Sequence, residues 1–243
     1  MNIALFLSGG AGTRVGAEVP KQYIEAGGRP VFSYSLRQLA CHSLIDAVQV
    51  VAAPMWRRRI TGRLREDDPE RKFRGFSAPG ENRQLSILRG LEDILLYASP
   101  GDYVLIHDAA RPALSGALVT ACLEAAAGHD GAVPALPMRD TVYASADGNR
   151  ITGLLQRREI FAGQAPEAFR LGKYCEANRR LLPERILQIS GSAEPAVLAG
   201  LDIVLIPGHE ANFKITTKAD LVRFQELVER GTADEGVGFI WRE

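Results

Sequence analysis

Ile3-Ala4-Leu5-Phe6-Leu7 runs directly into Ser8-Gly9-Gly10-Ala11-Gly12-Thr13-Arg14. A short apolar run bounded by glycines reads as a buried strand. Glycines just past a first strand let the backbone approach an anion and point N–H groups at it. Two specific alternatives fail on spacing. The dinucleotide pattern G-x-G-x-x-G calls for glycine at Val15 and an acid near the end of the second strand, where the chain has Val50-Val51-Ala52-Ala53-Pro54. The P-loop calls for Gly-Lys-Ser/Thr, whereas Lys21 follows Pro20. Arg14 and Lys21 flank the glycines, one a planar fork and the other a compact point charge, a pair suited to a triphosphate. Taken alone, such a loop is also ordinary punctuation and such cations are ordinary surface charges.

Outward from this stretch, Ala47–Ala53, Tyr103–Ile106, Gly131–Ala135 and Ile203–Ile206 read as further buried strands. Helical patterns lie between them, clearest over Pro30–Cys41, Arg83–Tyr97, Ser115–Ala127 and Lys218–Glu229. Strands alternating with helices predict an α/β fold with a mostly parallel sheet covered on both faces. Arg139–Arg157 breaks the rhythm and reads as strand, turn (Ala146-Asp147-Gly148-Asn149) and strand, a projecting β-hairpin. The expected organisation is one domain over residues 1–232, with 139–157 as an arm and 233–243 as a C-terminal tail holding Phe239, Ile240 and Trp241. The charged run Arg57–Lys72 reads as a solvated helix and loop of mixed sign.

The 29 basic and 29 acidic residues cancel. A chain without net charge is not built for bulk nucleic-acid binding or an anionic membrane surface, though a local basic pocket remains open to it. Cys41, Cys122 and Cys175 are far apart and lack CxxC spacing, which argues against a disulfide framework or zinc site. They read as small buried apolar groups in a cytoplasmic protein. Met1–Leu7 has no basic segment or long apolar core like those of a signal peptide, and no uncharged apolar run reaches membrane-spanning length.

Several motifs together resemble a known family. Gly9-Gly10-Ala11-Gly12-Thr13-Arg14 with Pro20-Lys21-Gln22-Tyr23 resembles the opening of the cytidylyltransferases acting on methylerythritol phosphate and ribitol phosphate. In the same order follow Gly80-Glu81-Asn82-Arg83-Gln84-Leu85-Ser86, similar to that family's base-recognition loop, and His107-Asp108-Ala109-Ala110-Arg111-Pro112, similar to its most distinctive motif. Arg139-Asp140-Thr141 opens the arm, Gln164-Ala165-Pro166 resembles a Gln-Thr-Pro stretch, and Asn212-Phe213-Lys214-Ile215-Thr216-Thr217 resembles the closing motif.

The resemblance implies a Rossmann-like nucleotidyltransferase fold, a homodimer joined through the arm, and a divalent metal, usually Mg²⁺. It implies transfer of CMP from CTP to a polyol phosphate, with pyrophosphate released. Carried over by position, Arg14, Lys21 and Lys214 are catalytic. Ser8, Gly9, Gly10, Gly12, Gly80, Arg83 and Ser86 bind the nucleotide. Asp108, Arg111, Thr141 and Arg157 bind the acceptor, Arg157 across the dimer, and Asp108 also serves the metal. Departures fall on the polyol side: Ala165 stands where threonine is common, and Ser190-Gly191-Ser192 where Thr-Asp-Asp/Glu is usual. Both methylerythritol phosphate, of isoprenoid synthesis, and ribitol phosphate, of cell-wall polymers, therefore remain as acceptors.

The chemistry accounts for the residue types. A phosphate monoester has a second pKa of ~6, so the nucleophile is already anionic and needs no Ser–His or Cys–His system. The obstacle is repulsion between anions, and positioning with cations overcomes it. His107 reads as structural, because no proton has to be removed. The competing readings are a nucleotidyltransferase for another NTP or a sugar phosphate, and a catalytically silent nucleotide-binding protein.

Overall fold

The computed structural model describes residues 1–10 and 19–231. The elements in chain order are β1 (Asn2–Leu7), β2 (Glu25–Ala26), β3 (Arg29–Pro30), α1 (Val31–Ala40), β4 (Ala47–Val51), α2 (Pro54–Asp67), β5 (Phe73–Ser77), α3 (Arg83–Ile94), β6 (Tyr103–Asp108) and α4 (Gly116–Ala126). There follow β7 (Gly131–Pro137), β8 (Val142–Ala144), β9 (Gly153–Leu155), β10 (Phe161–Gly163), β11 (Glu167–Arg170), α5 (Leu171–Arg179), α6 (Glu194–Leu198), β12 (Ile203–Pro207) and α7 (Lys218–Gly231).

In the main sheet, β5, β4, β1 and β6 lie side by side and parallel. β11 then pairs antiparallel with both β6 and β7. β10 continues along the same edge of β7, also antiparallel, and β12 lies parallel on the other edge of β7. The sheet is thus mostly parallel, as the pattern predicts, with β10 and β11 as antiparallel departures. Period-two alternation divides its side chains between two cores. Ala4, Phe6, Val48, Val50 and Leu105 pack under α1 and α4, while Ile3, Leu5, Ala47, Val51, Val104 and Ile106 pack under α3 and α5. Burial on both faces is why the central strands read as near-continuous apolar runs, broken in β4 only by Gln49. Caps fix two helix starts: Asn82 and Ser115 accept the N–H groups of Leu85 and Leu118.

Two sequence expectations need correction. Cys122 and Cys175 are buried, but Cys41 is exposed. The charged run is not all solvated: Asp67, at the end of α2, is fully buried and receives Arg29 and the Ser33 hydroxyl. Asp68 caps the turn into β5 by accepting the N–H groups of Lys72 and Phe73, each at 2.8 Å. The arm forms as read, with Val142, Tyr143 and Ala144 opposite Leu155, Leu154 and Gly153. In its turn, Asp147 Oδ1 accepts the N–H groups of Asn149 and Arg150, and Gly148 takes the left-handed φ of +74° that glycine favours. The predicted tail lies outside the described residues, apart from its approach in α7.

Candidate active site

The carboxyl ends of β1, β4 and β6, at Leu7, Val51 and Asp108, meet the start of α3 around a cleft of ≈ 510 Å³. Open α/β sheets hold their ligands at this end, where strand ends and helix starts converge. The walls carry Gly9 and Gly10 after β1, Lys21 and Gln22 from a short 3₁₀ turn, and Gly80, Glu81, Asn82, Arg83 and Ser86 around the start of α3. Asp108 and Ala110 come from the end of β6, and Lys214 from the segment before α7. Eight of the residues selected by sequence, Gly9, Gly10, Lys21, Gly80, Arg83, Ser86, Asp108 and Lys214, are therefore brought together.

Asp108 organises the charge. Arg83 Nε donates to its Oδ1 at 3.0 Å and Lys214 Nζ to its Oδ2 at 2.8 Å. Burial alone would raise the Asp108 pKa, but Arg83 and then Lys214 outweigh it and hold the carboxyl well below the ordinary range. It stays ionised while bridging two cations. Behind it, Glu167 of β11 accepts the Ser192 hydroxyl, and burial raises its pKa despite the Arg83 charge. His107 is fully buried, which pushes it down to about 4. Its Nε2–H donates to the Arg111 carbonyl at 2.9 Å, so it is a neutral structural group, as expected.

The loop before α3 is closed by its own side chains. Gly80 N–H donates to Ser86 Oγ at 2.9 Å, and that hydroxyl donates to the Asn82 carbonyl at 2.8 Å. A Cβ on Gly80 would stand 2.7 Å from Leu85 Cβ, so this tight approach requires glycine. Ser86 lines the cleft, but its one donor is spent on shaping the loop.

Lys214 is seated by residues that sequence reading quoted but did not explain. Ile215 N–H donates to the Ala110 carbonyl at 2.8 Å, and Asn212 Nδ2 to the Ala165 carbonyl at 2.7 Å. The Gln164 carboxamide exchanges two hydrogen bonds with the His209 backbone, both at 3.0 Å.

Other sequence-selected residues lie elsewhere. The Ser8 side chain is buried behind the glycine loop, donating to Tyr23 Oη at 3.0 Å. Arg111 Nη1 donates to the Asn212 carbonyl at 2.6 Å, so its guanidinium braces the closing segment and is not part of the cleft wall. Thr141 and Arg157 sit exposed on the arm, Arg157 Nη1 donating to the Arg139 carbonyl at 2.8 Å. Gly12 and Arg14 lie outside the described residues. Among the described residues, no cluster of three or more His, Cys, Asp or Glu could cage a metal. No helix among them is long and apolar enough to cross a membrane.

The chain is similar to known proteins over nearly its whole length. The family model described as 2-C-methyl-D-erythritol 4-phosphate cytidylyltransferase matches residues 3–230. A 2-C-methyl-D-erythritol 4-phosphate cytidylyltransferase of Rubrobacter xylanophilus is 37% identical over 233 residues, covering 93% of this chain and 94% of the relative. A bifunctional IspD/IspF enzyme of Bradyrhizobium is 33% identical over 97% of this chain, but the chain spans only 58% of that relative's length. The solved 2-C-methyl-D-erythritol 4-phosphate cytidylyltransferase of Thermus thermophilus superposes with a TM-score of 0.69 at 28% identity, covering 93% of this chain and 98% of that one.

Proposed function

The chain belongs to the 2-C-methyl-D-erythritol 4-phosphate cytidylyltransferase family, and from that premise we propose that it transfers CMP from CTP to 2-C-methyl-D-erythritol 4-phosphate. The observation that carries this reading is the convergence of Lys21, Arg83, Asp108 and Lys214 with the Gly80–Ser86 loop in one cleft. An acceptor phosphate oxygen attacks the α-phosphorus of CTP, a P–O bond forms, and the bond to the β-phosphate breaks. Pyrophosphate carries away the electron pair. Lys21 neutralises the triphosphate. Lys214, oriented by Asp108, stabilises charge on the reacting phosphoryl group.

The donor set fits a divalent cation held mainly by nucleotide phosphates. Mg²⁺ commonly takes one or two carboxylates plus substrate oxygens, and Asp108 and Glu81 are the carboxylates of the cleft wall. Asp108, kept ionised, is the ligand we assign. Such an ion supplies charge neutralisation of the triphosphate. The arm is assigned to dimerisation: Tyr143, Ile151 and Leu154 are 56%, 66% and 67% exposed in the single chain, and a lone hairpin needs a surface to pack on. Arg157, which does not line its own cleft, is assigned to the acceptor phosphate of the partner's site.

Ribitol 5-phosphate is the competing acceptor, favoured by Ala165 and Ser190-Gly191-Ser192. The test is pyrophosphate release from CTP with methylerythritol phosphate, ribitol phosphate and glycerol phosphate in parallel. Methylerythritol phosphate should give the highest kcat/KM. A higher value with ribitol phosphate overturns the acceptor, and no release with any of them overturns the reading.

A further inference from the structure

Gln22 has no role in the transfer just described, yet it is buried at 3% exposure and forms part of the cleft wall. Its Nε2 donates to the Ser8 carbonyl at 3.2 Å and to the Gly10 carbonyl at 2.7 Å. Tyr23 Oη gives the Ser8 carbonyl a second donor at 3.0 Å. Tyr23 is itself fixed, being fully buried and stacked on Trp56 with ring centroids 4.3 Å apart. Burial pushes its phenol up to about 12, so it remains a donor.

A trans peptide is planar, with the carbonyl and the following N–H on opposite edges. Anchoring the Ser8 carbonyl therefore fixes the direction of the Gly9 N–H. Neither the Gly9 nor the Gly10 N–H has an acceptor among the described residues, although both glycines line the cleft. From the other side, Gly9 is pressed against Pro79, where an added Cβ would come within 2.8 Å of Pro79 Cβ. A glycine-rich loop is otherwise free to turn its carbonyls toward the ligand, where they would repel phosphate oxygens.

We propose that Gln22 is the positioning residue of the phosphate loop: its carboxamide draws the Ser8 and Gly10 carbonyls away and leaves the intervening amides to the nucleotide's phosphates. This rests on the reading of the cleft as a triphosphate site. Lys21, the neighbour of Gln22 in the same turn, places a cation on the same wall, so one short turn supplies both the charge and the loop geometry.

The experiment titrates wild type, Gln22→Met and Gln22→Asn with tripolyphosphate, which carries the phosphates without base or ribose. CTP kinetics and a thermal melt accompany the titrations. Asparagine keeps the carboxamide one methylene short of the carbonyls, and stands in if the Met variant does not fold. Tripolyphosphate should bind at least ~10-fold more weakly to either folded variant, and KM for CTP should rise by a similar factor, as expected for lost loop hydrogen bonds. At saturating CTP, kcat should stay within ~3-fold of wild type, a split that general loss of structure does not produce. Tripolyphosphate binding within ~2-fold of wild type in a folded variant, or none by wild type, overturns the proposal. If the variants weaken tripolyphosphate binding but wild type releases no pyrophosphate from CTP, the functional reading fails and the role of Gln22 stands.

Discussion

Replacing Lys214 by Met removes one cation from a three-group bridge, and the Coulomb energy of such a contact bounds the effect. Two unit charges ~4 Å apart at an effective dielectric of ~20 interact by ~4 kcal/mol. Lys214 Nζ already lies 2.8 Å from Asp108 Oδ2, so part of that charge is engaged before any substrate arrives. A loss of ~100-fold in kcat/KM, equivalent to ~2.7 kcal/mol, lies within that ~4 kcal/mol bound and is the expected effect. Stability should change little. Asp108 keeps Arg83 at 3.0 Å, and the lost pair involves a lysine side chain that is 34% exposed. Loss of such a pair costs ~1 kcal/mol, or ~2–4 °C in Tm for a chain of this size. Lys214→Arg keeps the charge but replaces a compact ammonium with a planar fork, and should recover no more than ~10-fold. The assay is coupled pyrophosphate release over a range of CTP, with thermal melts of the same preparations. A Met variant within ~3-fold of wild type, or one whose loss tracks a Tm drop beyond ~8 °C, would refute the reasoning.

Lys21→Met should likewise reduce kcat/KM by at least ~100-fold in a folded protein, and near-normal turnover would remove Lys21 from the reacting centre. Turnover should stop in excess EDTA and return with Mg²⁺; full activity in the chelator would contradict the metal assignment. Leu154→Asp, which places a charge on an exposed apolar position of the arm, should convert a sedimenting dimer into a monomer of lower activity; a wild-type monomer with full activity would sink the arm's role. The buried His107 has a folded pKa of about 4, below its unfolded value of ~6.5, so the unfolded chain binds the extra proton between these values. This term leaves stability intact above pH ~6.5 and erodes it as pH falls toward 4, by up to ~3 kcal/mol. His107→Gln should flatten that part of the stability curve relative to wild type, and an unchanged difference from pH 7 to 4 would contradict it.

The central strands were legible because burial on both faces favours apolar residues: the middles of β1, β6 and β7 are apolar, and β4 is broken only by Gln49, whose carboxamide is satisfied by the Ser77 hydroxyl. β11 was not. Glu167 and Arg170 stand at its ends, and its antiparallel place between β6 and β7 is set by pairing across the sheet, which no local pattern encodes. β5 lies at the sheet edge and is largely half-buried, so Phe73-Arg74-Gly75-Phe76-Ser77 lacks the signature of its neighbours. The charged run ending α2 misled for the opposite reason: Asp67 is neutralised by Arg29, which is 38 residues away in the chain.

In the site, residue types were legible where the chemistry dictates them: glycines that touch backbone, and cations that meet phosphate. Partnerships were not, because they are long-range. Asp108 joins Arg83 and Lys214 across separations of 25 and 106 residues, and that closure turns three commonplace side chains into one charge relay on the cleft wall. The same distinction bears on the polyol-side departures. Ala165 contributes its carbonyl to Asn212 and so helps seat Lys214, a task its side chain does not affect. Ser192, by contrast, hands its hydroxyl to Glu167, so a carboxylate from β11 stands beside a segment that lacks its own. The Ser190 N–H and hydroxyl also donate to Glu194, so a second carboxylate lies beside the same segment. Carboxyl groups from β11 and α6 thus border a segment without acids of its own, which is why composition at one segment is a poor guide to the acceptor and direct competition between polyol phosphates is the better one.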